Sequence, residues 1–167
     1  RMKATIPVFV YLIDDQERVY LQRRFRTGYL DGSYETPAGK VDEDEFPSDA
    51  ACREVLEETG VIIDPKTLEL FHTYTNLSNN NPWVGLMYRT RSWEGTPIAK
   101  EPEKCDDSGF YSINNLPKQI TLQVRDGLAR VGVGVAAPEV DHHAAHRLAR
   151  APGFAVVAGI VHVDALF

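Results

Sequence analysis

Three carboxylates, Glu54, Glu57 and Glu58, fall within five residues of one predicted helix. At about 3.6 residues per turn they share an arc roughly 100° wide. Pro47 suits the start of that helix, with Ser48 as its N-cap or in its first turn. Gly60 suits the stop, and Asp64-Pro65 follows. Ala51, Cys52, Val55 and Leu56 lie on a different arc and are expected to pack into a core. The acidic arc breaks local rules. Glu54 and Glu58 are four apart, a repulsion of about 0.2–0.5 kcal/mol. Glu57 and Glu58 stand in the last turn, where the helix dipole disfavours negative charge. Arg53 offsets part of this at Glu57. An uncompensated cost of this kind points to a functional site. A hard divalent cation supplies the compensation, since oxygen ligands suit magnesium and manganese.

The surrounding spacing sharpens that expectation. The stretch from Gly39 to Val61 reads GKVDEDEFPSDAACREVLEETGV. Gly39 is followed by five residues and Glu45, then seven more and Arg53-Glu54-Val55-Leu56-Glu57-Glu58-Thr59-Gly60-Val61. Every fixed position of the Nudix box is matched, and the chain resembles Nudix hydrolases. The resemblance implies an α+β fold, an α/β/α sandwich with a mixed β-sheet between helices. It also implies magnesium-dependent cleavage of a nucleoside diphosphate linkage, with manganese as a substitute. Glu54, Glu57 and Glu58 would hold metal, joined by the carbonyl of Ala38 just before the box glycine. Glu45, Arg53 and Gly60 would support that geometry. Gly39 would permit a close approach that a side chain blocks.

The resemblance runs from about residue 3 to 130. Gly28 to Gly39, Trp93-Glu94-Gly95, the EPEKC segment at 101–105 and Leu116-Pro117 are similar to MutT-like nucleoside triphosphate diphosphatases. The apolar–Trp pair expected after EPEKC is here Gly109-Phe110-Tyr111, a departure that bears on the base pocket. The expected reaction is water attack on a (normal or oxidised) nucleoside triphosphate, giving a monophosphate and pyrophosphate. Either Glu54 or Glu103 would serve as general base. ADP-ribose or a nucleotide sugar needs the same chemistry and stays open. A catalytically silent nucleotide-binding module would be expected to lose box glutamates, and none is lost.

Other residues are candidates on weaker patterns. Glu103 and its rival Glu101 sit in a charged, proline-rich loop, where catalytic groups often lie. Arg23, Arg24 and Arg26 form a basic patch suited to phosphates. Strand alternation would turn Arg24 and Arg26 the same way. Tyr34 and Phe110, with Tyr29, Trp83 and Tyr111, are aromatic candidates for stacking a base. His142 and His146 have the spacing of one helix face, but no cysteine or acidic motif completes a zinc site.

These residues need a frame. The chain has 167 residues, 43% apolar and 25% charged, ordinary for one soluble domain. A formal charge of −6 argues against a general nucleic-acid binder but not against a nucleotide. Two cysteines make no disulfide framework, and there is no signal peptide or membrane-length apolar run. A cytoplasmic setting is expected. Strands are predicted over 3–13, 18–25 (its hairpin partner), 68–76, 83–93 and 109–113, and a second helix over 119–130. A loop is predicted at 79–82. After Arg130 the composition changes abruptly. Residues 131–167 contain no Lys, Ser, Thr, Asn or Gln, and alanine and valine make up 17 of 37. Residues 1–130 are therefore read as the hydrolase domain and 131–167 as an atypical C-terminal extension. A strand within 153–167 could cover a sheet edge or pair with a second subunit, which leaves a homodimer open.

Overall fold

A computed structural model describes residues 3–78, 80–131 and 161–162. The strand Pro7–Leu12 (β1) organises the molecule. Every one of its residues is buried, because both of its faces are covered. Val8, Val10 and Leu12 join one core cluster with Ala50, Ala51 and Val55. Phe9 and Tyr11, with Ile13 beyond the strand's end, join the other with Val124 and Leu128. Period-2 alternation thus sends successive side chains to helices on opposite sides. Those helices are Pro47–Thr59 (α1) and Leu122–Arg130 (α2). The result is an α/β/α sandwich.

The remaining strands are Arg18–Arg24 (β2), Tyr34–Glu35 (β3), Ala38–Lys40 (β4), Glu69–Ser78 (β5), Asn81–Thr90 (β6), Cys105–Ser112 (β7) and Val161–His162 (β8). A five-stranded sheet has the order β4-β1-β6-β5-β8, and a three-stranded sheet has the order β3-β2-β7. The larger sheet is mixed: β1 runs parallel to β6 and antiparallel to β4.

Three expectations need correction. First, β2 is not the hairpin partner of β1. Both edges of β1 are taken by β4 and β6, so β2 pairs with β3 and β7 instead. Only an Ile13–Val19 bridge joins the two at the turn, where Asp14 Oδ1 accepts from the Gln16 and Arg18 amides. Second, Asn81 and Pro82 of the loop predicted at 79–82 belong to β6. Ser78 already pairs with Asn81, and Asn80 takes a positive φ of 58°. Third, Leu56 is 49% exposed, while Ala50 and Thr59 are buried with Ala51 and Val55. The buried arc is therefore shifted, and Cys52 is only half-buried. The α1 N-cap is Phe46 without a side-chain cap; Ser48 lies in the first turn.

β7 is longer than predicted, because Cys105 to Ser108 pair with β2 despite their polar sequence. His142 and His146 lie outside the described residues.

Candidate active site

The short β3 and β4 strands carry the chain across the foot of α1. Glu35 ends β3, and Ala38 begins β4 beside Phe9 of β1. This delivers Ala38 and Gly39 to the acidic face of α1. A Cβ on Gly39 would sit 1.9 Å from the carboxyl carbon of Glu54. Glycine is favoured by that approach and not by an unusual φ, since a Cβ would force the Glu54 carboxylate to shift.

Arg53 organises one side of the site. Its guanidinium donates to Glu45 Oε1 at 2.9 Å, to Glu54 Oε1 at 2.7 Å and to the Lys40 carbonyl at 3.0 Å. Glu57 lies 3.5 Å away, with its side chain 57% exposed. Arg53 therefore ties the box loop to the helix through Glu45 and the Lys40 carbonyl, and orients Glu54, more than it offsets Glu57. These bonds hold the Glu45 carboxyl below its ordinary range and push the Arg53 guanidinium higher. Glu54 moves the other way. Burial raises it, with the Glu57 and Asp42 charges adding to that against the pull of Arg53.

Glu58 is set deeper. Its Oε2 accepts from Gln22 Nε2 at 2.9 Å and from the Ala38 amide at 3.3 Å. Burial, then the charges of Glu35 and Glu54, push its carboxyl up to about 8, although both hydrogen bonds oppose this. Here is a carboxylate in want of a positive partner. Glu35 is also raised by burial, against its ion pair with Arg24 at 2.5 Å.

The donors around α1 are carboxylate and backbone oxygens only, the set a hard divalent cation takes. Among the described residues no three acidic, His or Cys side chains converge as a finished metal cage. The chemistry of the donors and the uncompensated Glu58 fit such an ion.

Two cavities meet at this point, sharing Arg24, Glu35 and Ala38. The smaller, about 220 Å³, has Gln22, Glu58, Glu101 and Lys104 in its wall. The larger, about 520 Å³, is walled by Phe9, Tyr29, Tyr74 and Trp83, with Asn76 and Gln123 as polar groups. Asn76 Oδ1 is buried without a hydrogen-bond partner among the described residues. Such an acceptor costs about 1–3 kcal/mol until a donor reaches it.

The candidates read from the sequence separate accordingly. Arg53, Glu54, Glu57, Glu58, Ala38, Gly39 and Glu45 come together. Gly60 caps α1 with φ 76°. Arg24 is committed to Tyr29, Glu35 and Thr27. Arg26 lies past the end of β2 with φ 52°, so strand alternation does not reach it, and it stacks over Phe25. Tyr34 instead packs edge-on against Tyr111 and donates to Asp107. Phe110 stacks on Trp93. Arg26, Tyr34, Phe110 and the exposed Glu103 line neither of these two cavities, whereas Glu101 lines the smaller one. Sequence reasoning missed Gln22, Glu35, Phe9, Tyr74, Asn76 and Gln123. Only Gln22 left a signal, a polar residue ending the buried run of β2.

A mixed sheet lies between two helices, and a glutamate of one helix, Glu58, stands in the wall of a cleft. The NUDIX domain family model matches residues 3–131, and the chain belongs to the Nudix family. It is a MutT-like pyrophosphohydrolase by class. It is 29% identical over 107 residues to the 8-oxo-dGTP diphosphatase of Escherichia coli, covering 60% of this chain and 77% of that protein. It is 28% identical to the NAD-capped RNA hydrolase NudC of Stutzerimonas stutzeri, but spans only 41% of that protein. The crystal structure of a MutT Nudix hydrolase from Burkholderia pseudomallei aligns with a TM-score of 0.68 at 27% identity, covering 77% of this chain and 98% of the other.

Proposed function

We propose that this chain hydrolyses a nucleoside triphosphate to a monophosphate and pyrophosphate. The junction of the two cavities at Ala38 and Glu35, with Glu58 in the smaller wall, carries this reading. The aromatic cavity suits a base and sugar. The small polar cavity, with Arg24 and Lys104 in its wall, suits a compact polyanion. ADP-ribose and nucleotide sugars, which are the alternative, would place an uncharged sugar there.

A magnesium or manganese ion held by Glu54, Glu57, Glu58 and the Ala38 carbonyl would supply positive charge against the phosphate chain. The protein's own part is placement. Gln22 and the Ala38 amide orient Glu58. Arg53 orients Glu54, and Glu45 anchors Arg53. Neither Glu54 nor Glu103 lines the two cavities, and Glu54 is the better-placed general base because burial raises it and it lies against Gly39, whereas Glu103 is exposed. Asn76, with its unpartnered oxygen, would accept from a donor on the base edge. Free cysteines at 52 and 105 fit a reducing, cytoplasmic setting. Small nucleotides, not nucleic-acid polymers, are the proposed substrates.

The test is a panel of normal and oxidised dNTPs, ADP-ribose and nucleotide sugars with magnesium. The highest kcat/KM should fall on a triphosphate. Preference for ADP-ribose or a nucleotide sugar would overturn the assignment.

A further inference from the structure

We infer that Lys104 grips the terminal phosphate of a triphosphate and the pyrophosphate that leaves, and so sets the preference for triphosphates. This rests on the triphosphate reading above. Lys104 lines the smaller cavity together with Glu58 and is near enough to feel its charge. Among the described residues three cationic side chains line that cavity, Arg23, Arg24 and Lys104, and they are not equivalent. Arg24 gives hydrogen bonds to Tyr29, Thr27 and Glu35, and Arg23 is paired with Asp106 at 2.7 Å. Lys104 has one side-chain partner among the described residues, Glu101 at 2.7 Å, in a pair three residues apart. That lysine side chain is 58% exposed. An exposed pair of this kind is weak. A polyphosphate offers a stronger, more highly charged acceptor, and the ammonium can swing to it at small cost.

The backbone fixes the root of this side chain. The amides of Lys104 and Cys105 both donate to the Glu101 carbonyl, at 2.9 and 3.0 Å. The Lys104 carbonyl in turn accepts from the Phe25 amide at 2.8 Å. The lysine therefore has a fixed backbone base and a tip held by one exposed ion pair. Among the described residues no aromatic side chain lines this cavity. The group beyond the cleaved bond is selected by charge and not by stacking. A nucleoside monophosphate places nothing there, and a nucleoside diphosphate reaches it with one phosphate fewer.

Lys104→Met keeps the length and removes the charge at an exposed loop position. Inorganic pyrophosphate with magnesium should bind about 10- to 100-fold more weakly to this variant by calorimetry, the size of one charge-assisted contact. Nucleoside monophosphate binding should change less than about twofold. The kcat/KM ratio of triphosphate over diphosphate should shrink, with most of the change in KM. Lys104→Arg should restore pyrophosphate binding. Lys66→Met, on the exposed 3-10 turn at 65–67, removes one charge elsewhere and should leave all of these unchanged. Unaltered pyrophosphate affinity in Lys104→Met would overturn the inference while leaving the triphosphate reading intact. Absence of triphosphate turnover in the unmodified protein would overturn both.

Discussion

Glu58 carries an electrostatic cost in the folded protein, at the place where the proposed function puts a metal ligand. The protein sets it back among Glu35 and Glu54, gives it two N–H donors on one oxygen, and still leaves it raised to about 8. An ordinary unfolded glutamate titrates near 4.3. Between these values the folded state binds more protons than the unfolded one. The stability contributed by Glu58 is thus fully present below the unfolded value and is lost as pH rises through the folded one. Metal-free protein should lose stability from pH 5 to 9, on the order of a few kcal/mol at this site. Thermal melts of the unmodified protein and Glu58→Gln in chelator check this; the variant should show a flatter profile. Adding magnesium near neutral pH should release protons, because ligation requires the carboxylate. A pH-independent difference between the two melts would remove Glu58 from this account.

At the level of elements, α1 is held by its exit. Gly60 takes φ 76°, and its amide closes on the Leu56 carbonyl at 2.9 Å. The loop ahead of β7 satisfies the next carbonyls: Lys100 donates to Glu58 at 2.8 Å and Ile98 to Thr59 at 3.1 Å. A Cβ on Gly60 would meet Lys100 Cε at 2.6 Å. Gly60→Ala should therefore cost about 1–2 kcal/mol, from left-handed strain plus displacement of that side chain. Denaturant midpoints measure it, and no loss of stability would contradict the cap. The helix was legible in the sequence because its signals are local: Pro47, the acidic arc and Gly60. β1 was legible as a run of apolar and β-branched residues. The partner of β1 was not, since pairing depends on which edges remain open, and β4 and β6 take both. β7 read too short because Asp106, Asp107 and Ser108 look like a loop, yet Tyr34 and Tyr111 both donate to Asp107. The carboxylates were legible and the aromatic cavity was not. Phe9, Tyr74 and Gln123 come from three elements far apart in sequence, and each looks like ordinary core.

On the scale of the whole molecule, the residues proposed for the active site all precede the break in composition after Arg130. Of the later residues, Val161 and His162 pair with Thr75 and Tyr74 at the edge of β5. We propose that residues 131–167 are an extension that adds nothing to catalysis, with Val161–His162 covering this edge. A chain ending at Gly132 should fold and keep most of its kcat/KM. Loss should appear as lower solubility or a changed oligomeric state, because an open strand edge is sticky. Light scattering and kinetics on both chains decide it; a monodisperse, inactive short form would make the extension part of the site. The central claim, metal-assisted cleavage that releases pyrophosphate, is tested most directly by ³¹P NMR of a triphosphate digest. With magnesium the products should be nucleoside monophosphate and pyrophosphate. Excess EDTA should abolish both, and Glu57→Gln should slow them on the order of 10²-fold or more. Orthophosphate with nucleoside diphosphate, or turnover that persists in EDTA, would contradict the account.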